Sequence, residues 1–256
     1  MPEKVLKNHS VTLDPRLDRF AQFDDASRNH QIRELLEQRS SIKKLIRRHR
    51  SMKLGRTLDQ GQEGACTAYS TGHAMQQRPF NNAPFLSTAL HEMYFENQQR
   101  DEWPGGEYPG ATPVYSGSSV LASMKTLKAR GYIKEYRWIG AGSGRAIDDL
   151  VEAVRYIGPV CLGINWYESM EDVDQHGILH VDTSKVAGGH AICAVDALTL
   201  KLPGTAKRQQ YVVLQNSWSP TWGAKFKGQG GFCYVTFEDV QKLLDNDGEG
   251  AVPLKG

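Results

Sequence analysis

One thirteen-residue stretch constrains this chain more than any other: Leu58-Asp59-Gln60-Gly61-Gln62-Glu63-Gly64-Ala65-Cys66-Thr67-Ala68-Tyr69-Ser70. A glycine-punctuated loop stops at a cysteine, and no proline follows until Arg78-Pro79, so Cys66 is expected in the first turn of a helix. The N–H groups and positive macrodipole end of a helix start favour an anion, which biases a thiol there toward thiolate. A lone cysteine at a helix start is ordinarily a small buried hydrophobe. It becomes a nucleophile only if a base and an orienting group are brought to it.

Two later stretches offer both. Gly188-Gly189-His190-Ala191-Ile192-Cys193-Ala194-Val195 puts a histidine behind two glycines at the head of an apolar strand, and Tyr211-Val212-Val213-Leu214-Gln215-Asn216-Ser217-Trp218 is a second apolar strand ending in an asparagine and an aromatic. With these three patches and Trp222-Gly223 in this order, the chain resembles the papain-like cysteine peptidases, most of all the short, disulfide-poor proteins of bacteria and their viruses. Spacing agrees: His190 lies 124 and Asn216 150 residues after Cys66, against about 130–150 in that family.

The resemblance spans roughly Leu54 to Phe237. It implies Cys66 as nucleophile, His190 as base, Asn216 as the residue that orients the imidazole, and Gln60 as an oxyanion donor acting with the Cys66 N–H. Trp218 would shield the His–Asn hydrogen bond from water. Gly117, Ser118, Gly189, Trp218 and Trp222 would line the substrate cleft, although Ser118 could almost equally cap the helix that follows. Glu63 stands where the family has a disulfide cysteine, Thr67 replaces a tryptophan, Ser219-Pro220 replaces a glycine and its neighbour, and the Lys225–Gly230 loop is longer than usual. Glu63 is expected to be a carboxylate at the cleft edge that raises the thiol pKa. The other histidines, His73 and His91 among them, are expected at the surface or as caps.

Helical periodicity dominates the first half and strands the second, which argues for α+β. By resemblance this is the papain fold, a helical lobe and a β-barrel-like lobe with the cleft between them. Residues 1–53 are expected as a basic arm with a helix, 54–158 as the helical lobe carrying Cys66, and 159–256 as the β lobe carrying His190 and Asn216. Helices are expected near Phe85–Gln98, Val120–Gly131 and Ala146–Ile157, and strands at Val160–Ile164, His190–Leu198, Gln210–Gln215 and Gly231–Phe237.

Charge is split along the chain: residues 1–56 carry 14 Lys/Arg and 7 Asp/Glu, and the remainder is mildly acidic. A helix from Ser27 to Arg50 would place Ile32, Leu35, Leu36, Ile42, Leu45 and Ile46 on one stripe, expected to dock on the body or a partner chain without filling the cleft. Its basic end suits a helix C-terminus, and nucleic acid is not the expected partner, since aromatic interleaving is missing. The first residues lack a signal-peptide core, no stretch is long enough to span a membrane, and four cysteines suggest a reducing compartment, so a cytoplasmic location is expected. No metal or other cofactor is expected. The resemblance implies hydrolysis of peptide or protein substrates through a thiolate–imidazolium pair and an acyl-enzyme; a transamidase or deamidase on the same site, or a silent binding protein, remain as alternatives.

Overall fold

The computed structural model describes residues 14–23, 25–38, 54–81, 87–140, 145–202 and 205–256. In chain order the elements are β1 (Arg19–Phe20), α1 (Ile32–Gln38), α2 (Cys66–Gln76), α3 (Ser87–Arg100), β2 (Ser118–Ser119), α4 (Val120–Ala129), β3 (Glu135–Trp138), α5 (Ala146–Tyr156), β4 (Val160–Tyr167), β5 (Val186–Leu200), β6 (Gln209–Gln215), β7 (Ala224–Phe226), β8 (Gln229–Thr236), α6 (Phe237–Asp245) and β9 (Glu249–Leu254).

Seven strands form one antiparallel sheet in the order β3-β9-β4-β5-β6-β8-β7, and its end strands β3 and β7 are not neighbours, so the barrel-like lobe is an open sheet. Period-two alternation explains why both faces are covered. Cys161, Ala191, Cys193, Val213, Phe232 and Ala251 pack with the apolar residues of α2, α3 and α4. Their neighbours Leu162, Ile192, Ala194, Val212, Leu214 and Val252 pack with α1, α5 and α6 on the other side.

Several boundaries differ from the sequence expectation. Thr236 ends β8 because its hydroxyl caps α6, accepting the Asp239 N–H at 3.1 Å. The Lys225–Gly230 loop is a tight hairpin between β7 and β8, turned by Lys227 and Gly228 at φ 48° and 85°. β3 belongs to the stretch expected to be the helical lobe, yet it pairs with β9 in the sheet. Ser119, not Ser118, caps α4, accepting the Ala122 N–H at 3.0 Å.

The expected Ser27–Arg50 helix is broken at its start: Ala26–Asn29 is a 3-10 turn, and α1 begins at Ile32. Ile32 and Leu36 are buried against α5 and Leu35 is half-buried. Ile42, Leu45 and Ile46 lie outside the described residues. Burying Ile32 and Leu36 contributes on the order of 1.5–3 kcal/mol each.

Candidate active site

Cys66 is the first residue of α2, as its sequence context predicts, and Ala65 before it offers no side-chain cap. The N–H groups of Ala191 and Asp18 favour an ionised sulfur, but the thiol is fully buried, and burial pushes it up to about 12. The helix start therefore does not make a thiolate in this arrangement. Desolvation outweighs it.

β5 carries His190 across from Ile164 of β4, and the end of β6 delivers Asn216. The two meet: His190 Nε2 and Asn216 Oδ1 are 2.8 Å apart, and the same oxygen accepts the Ser217 N–H at 2.8 Å. An amide oxygen already holding one donor fixes the imidazole with its proton on Nε2. Nδ1 is buried with no side-chain partner, and the Arg16 backbone lies close enough to the ring to favour its protonated form. Trp218 covers this pair, 5.0 Å from the His190 ring, as the resemblance implies. Trp166, which the sequence reading missed, meets the His190 ring edge-on at 4.8 Å and packs on Trp218 at 5.1 Å, so the three rings form one cluster. Burial drives His190 down to about 4. The thiol and the imidazole thus both rest neutral.

Gln60 is joined to the same strand end. Its backbone N–H donates to the Ser217 carbonyl at 2.9 Å, and its Oε1 accepts the Ser217 hydroxyl at 2.6 Å. That turns Nε2 toward the Glu63 carbonyl at 2.7 Å and the Arg16 carbonyl at 3.4 Å. The donor is aimed into the cleft by its neighbour Ser217.

The cleft is occupied by the chain itself. Residues Asp14–Phe20 run through it, first as a turn closed by the Leu17 N–H on the Asp14 carbonyl at 3.1 Å and then extended from Asp18 to Phe20, so that residues ahead of α1 enter the cleft while α1 itself docks outside. Asp18 bridges to Gly189, and β1 pairs with β2 in parallel. The Ser118 N–H donates to the Asp18 carbonyl at 3.2 Å, so Ser118 serves the cleft through its backbone. Gly117 and Gly189 are glycines because of this close approach: a Cβ would come within 2.1 Å of the Asp18 oxygen at the first and 2.0 Å of the Arg19 oxygen at the second. Phe20 packs on Trp103, with ring centroids 5.3 Å apart. Arg16 pairs with Asp14 at 2.7 Å and Glu171 at 2.8 Å, and Trp222 donates to the Glu171 carbonyl at 3.1 Å. What the segment turns toward the sulfur is the N–H of Asp18. Its carbonyl is engaged by Ser118, so no scissile bond is presented.

Two expectations fail here for reasons of tertiary contact. Glu63 is paired with His91, and the carboxylate that acts on the thiol is that of Asp18. His73 is not at the surface: it is buried in α2, its Nε2 accepts the Leu58 N–H at 2.9 Å, and burial drives it down to about 3.

With Cys66, His190, Asn216 and Gln60 all placed around the cleft that Asp14–Phe20 enters, comparison with known proteins decides the family. The family model of the papain family cysteine proteases matches residues 105–236, which is 132 of the 256 residues and includes His190 and Asn216. The chain belongs to that family. It is a papain-like cysteine peptidase. Among solved structures it is similar to the bromelain protease from Ananas comosus in complex with the E64 inhibitor, at 13% identity and TM-score 0.48, over 79% of this chain and 94% of that one. It is also similar to a recombinant stem bromelain precursor, at 12% identity and TM-score 0.49, over 96% of this chain and 77% of that one. No curated protein matches it. Cys66 and Gln60 lie upstream of the family match.

Proposed function

We propose that the chain is a cysteine endopeptidase acting through an acyl-enzyme, and that Asp14–Phe20 closes its resting form. One observation carries the reading: the chain's own backbone already lies in the cleft, extended at Asp18–Phe20 where it is bonded to Ser118 and bridged to Gly189, with the Arg16 carbonyl of the preceding turn at the Gln60 amide. Once that segment gives way, solvent and substrate dipoles replace the apolar surroundings that hold Cys66 and His190 neutral. His190 Nδ1 then takes the thiol proton, and Cys66 Sγ attacks the substrate carbonyl carbon. The oxyanion is received by the Gln60 amide and the Cys66 N–H. His190 gives its proton to the departing amine, and water, activated by the same ring, releases the acid.

Peptide or protein is the substrate, and the arm docks on the body through Ile32 and Leu36. Digestion of a peptide library by the full chain, beside Cys66→Ala, tests the reading. Fragments whose masses sum to the parent plus one water are expected. Products carrying an added amine would turn the reading to transamidation, and identical digests from both chains would remove Cys66 as nucleophile.

A further inference from the structure

Two of the four thiols face each other across the sheet. β4 and β5 pair antiparallel with Cys161 directly opposite Cys193, in the part of the ladder that keeps one register as far as Trp166. Residues opposite each other on antiparallel strands have Cα atoms about 4.5–5.5 Å apart, inside the span of about 4.4–6.8 Å that a disulfide bridges. Both side chains enter the core shared with α2, α3 and α4, and a hydrogen bond joins the two thiols. The other cysteines are placed elsewhere: Cys233 packs on the opposite face of the sheet, and Cys66 starts α2. Neither member of the pair occupies position 63, where the resemblance implies a disulfide cysteine.

Beyond each other, the two sulfurs meet only distant carbonyls, Cys161 Sγ that of Ser70 at 3.9 Å and Cys193 Sγ that of Ala194 at 4.0 Å. Both residues are fully buried. Burial, and then the Cys161 thiol beside it, hold Cys193 well above the ordinary thiol range, so in the closed sheet it is a poor nucleophile. Exchange therefore belongs to a chain whose β4 and β5 have not yet closed or have parted. Joining the sulfurs adds no atom to the core and removes two S–H donors from an apolar site.

The link would fall beside the base. His190 lies three residues along β5 from Cys193 and opposite Ile164, which lies three residues along β4 from Cys161; Trp166, further along β4, packs on the His190 ring. The two strands are connected through residues 168–185, and the cysteines are 32 positions apart. A cross-link over that distance removes conformations from the unfolded chain.

We infer that Cys161 and Cys193 are a modification site, a dithiol that closes to a cross-strand disulfide by exchange with oxidised glutathione. One thiolate attacks a glutathione sulfur, which displaces one reduced glutathione and leaves a mixed disulfide on the protein. The second thiolate attacks the protein sulfur of that mixed disulfide and displaces the other glutathione. One S–S bond breaks for the one that forms, two electrons pass to the glutathione disulfide, and both protons end on glutathione thiols. The closed pair fastens the strand bearing His190 to the strand bearing Trp166, and excess reduced glutathione opens it again. None of this depends on the peptidase reading.

The test uses the full chain carrying Cys66→Ala, so that residue 66 neither cuts nor enters the exchange. The chain is unfolded in urea, refolded in oxidised or in reduced glutathione, and its free thiols are capped with N-ethylmaleimide under denaturing conditions. The oxidised chain should carry one cap against three on the reduced chain, and a tryptic digest should join residues 156–185 to 186–201, the peptides that hold Cys161 and Cys193. Its melting temperature should exceed that of the reduced chain by several degrees, and dithiothreitol should abolish the difference. Cys193→Ala in the same background should melt alike in both buffers. Should the chain not refold, the same mapping on folded chain held at the onset of urea unfolding gives the answer. Three capped thiols after oxidation, a glutathione adduct left unresolved on either cysteine, or a link through Cys233 overturns the inference. A joined pair that lowers the melting temperature overturns it as well.

Discussion

The Arg16 guanidinium lies over the ring of Trp218, its central carbon 3.9 Å from the ring centroid. The residue that covers His190 and Asn216 is therefore also the surface to which the closing segment is fastened. Such cation–π contacts contribute about 0.5–2 kcal/mol, and Asp14 and Glu171 hold the same guanidinium from its edges. Arg16→Ala should loosen the segment without touching a reacting group. Iodoacetamide should label Cys66 slowly in the intact chain and at least about tenfold faster in Arg16→Ala, because thiolate fraction and access rise together. Cys161, Cys193 and Cys233, all buried in the sheet, should stay slow in both. Peptide mapping after brief labelling checks this, and equal Cys66 rates would show that the segment is no barrier.

Glycines at the cleft separate accessibility from turnover. Gly189→Ala places a methyl 2.0 Å from the Arg19 carbonyl, which must move away. Labelling of Cys66 should quicken, while peptide hydrolysis should fall because a substrate backbone meets the same methyl. A variant that gains in both would mean that substrates pass further from β5 than the closing segment does.

The helpers should rank by role. Cys66→Ala and His190→Ala should abolish turnover, and Gln60→Ala should lower kcat by about 10²–10³, the loss usual for one oxyanion donor. Part of that loss is indirect, because Gln60 braces Ser217 beside Asn216. Gln60→Glu keeps the acceptor for the Ser217 hydroxyl and removes the donor, so a comparable drop there assigns the effect to oxyanion binding. Asn216→Ala should cost less than Gln60→Ala. A harmful Gln62→Ala beside a harmless Gln60→Ala would overturn the register of the loop.

Acid should destabilise the closed chain before its carboxylates are neutralised. His190 and His73 are held near 4 and 3 by burial, below the ordinary value of 6.5, so the unfolded state binds more protons as pH falls. Stability present above about pH 6.5 is then lost progressively down to about pH 4 for His190 and pH 3 for His73. At about 1.36 kcal/mol per unit the combined loss is on the order of several kcal/mol. Asp14 lies near His190 and favours its protonation, whereas Arg16 opposes it. Urea unfolding of Cys66→Ala, which cannot cut itself, should show a lower midpoint at pH 4.5 than at pH 7. An unchanged midpoint would mean that neither ring is held below its unfolded value by the fold.

The parts of this site that were legible from sequence are those whose chemistry is local. A loop breaking into a helix at Cys66, and apolar strands that start at His190 or end at Asn216, each announce themselves within ten residues. The closing segment does not. Asp14–Phe20 has no periodicity to read, and its path is set by glycines at 117 and 189 and by Glu249 near the far end of the chain, which pairs with Arg19. β9 escaped notice because Gly250 and Pro253 weaken a strand pattern, and the Pro is tolerated beside the short β3. His73 was misplaced because α2 is buried all round, so it has no polar face to warn of the burial.

The strand order carries a consequence for how the chain comes to be closed. β9, the last of the described strands, lies between β3 and β4, so an interior strand comes late in the chain and the sheet stays split until those residues arrive. Arg19 and Asp247, which share a hydrogen bond, are 228 positions apart. Joining them is among the most non-local steps available, and such steps are slow. During synthesis on a ribosome, the loop around Cys66 and the strand bearing His190 emerge while Arg19 still lacks this partner. The segment can complete its contacts only once the Asp247 region is made, so until then a nascent chain carries Cys66 and His190 in an unclosed cleft.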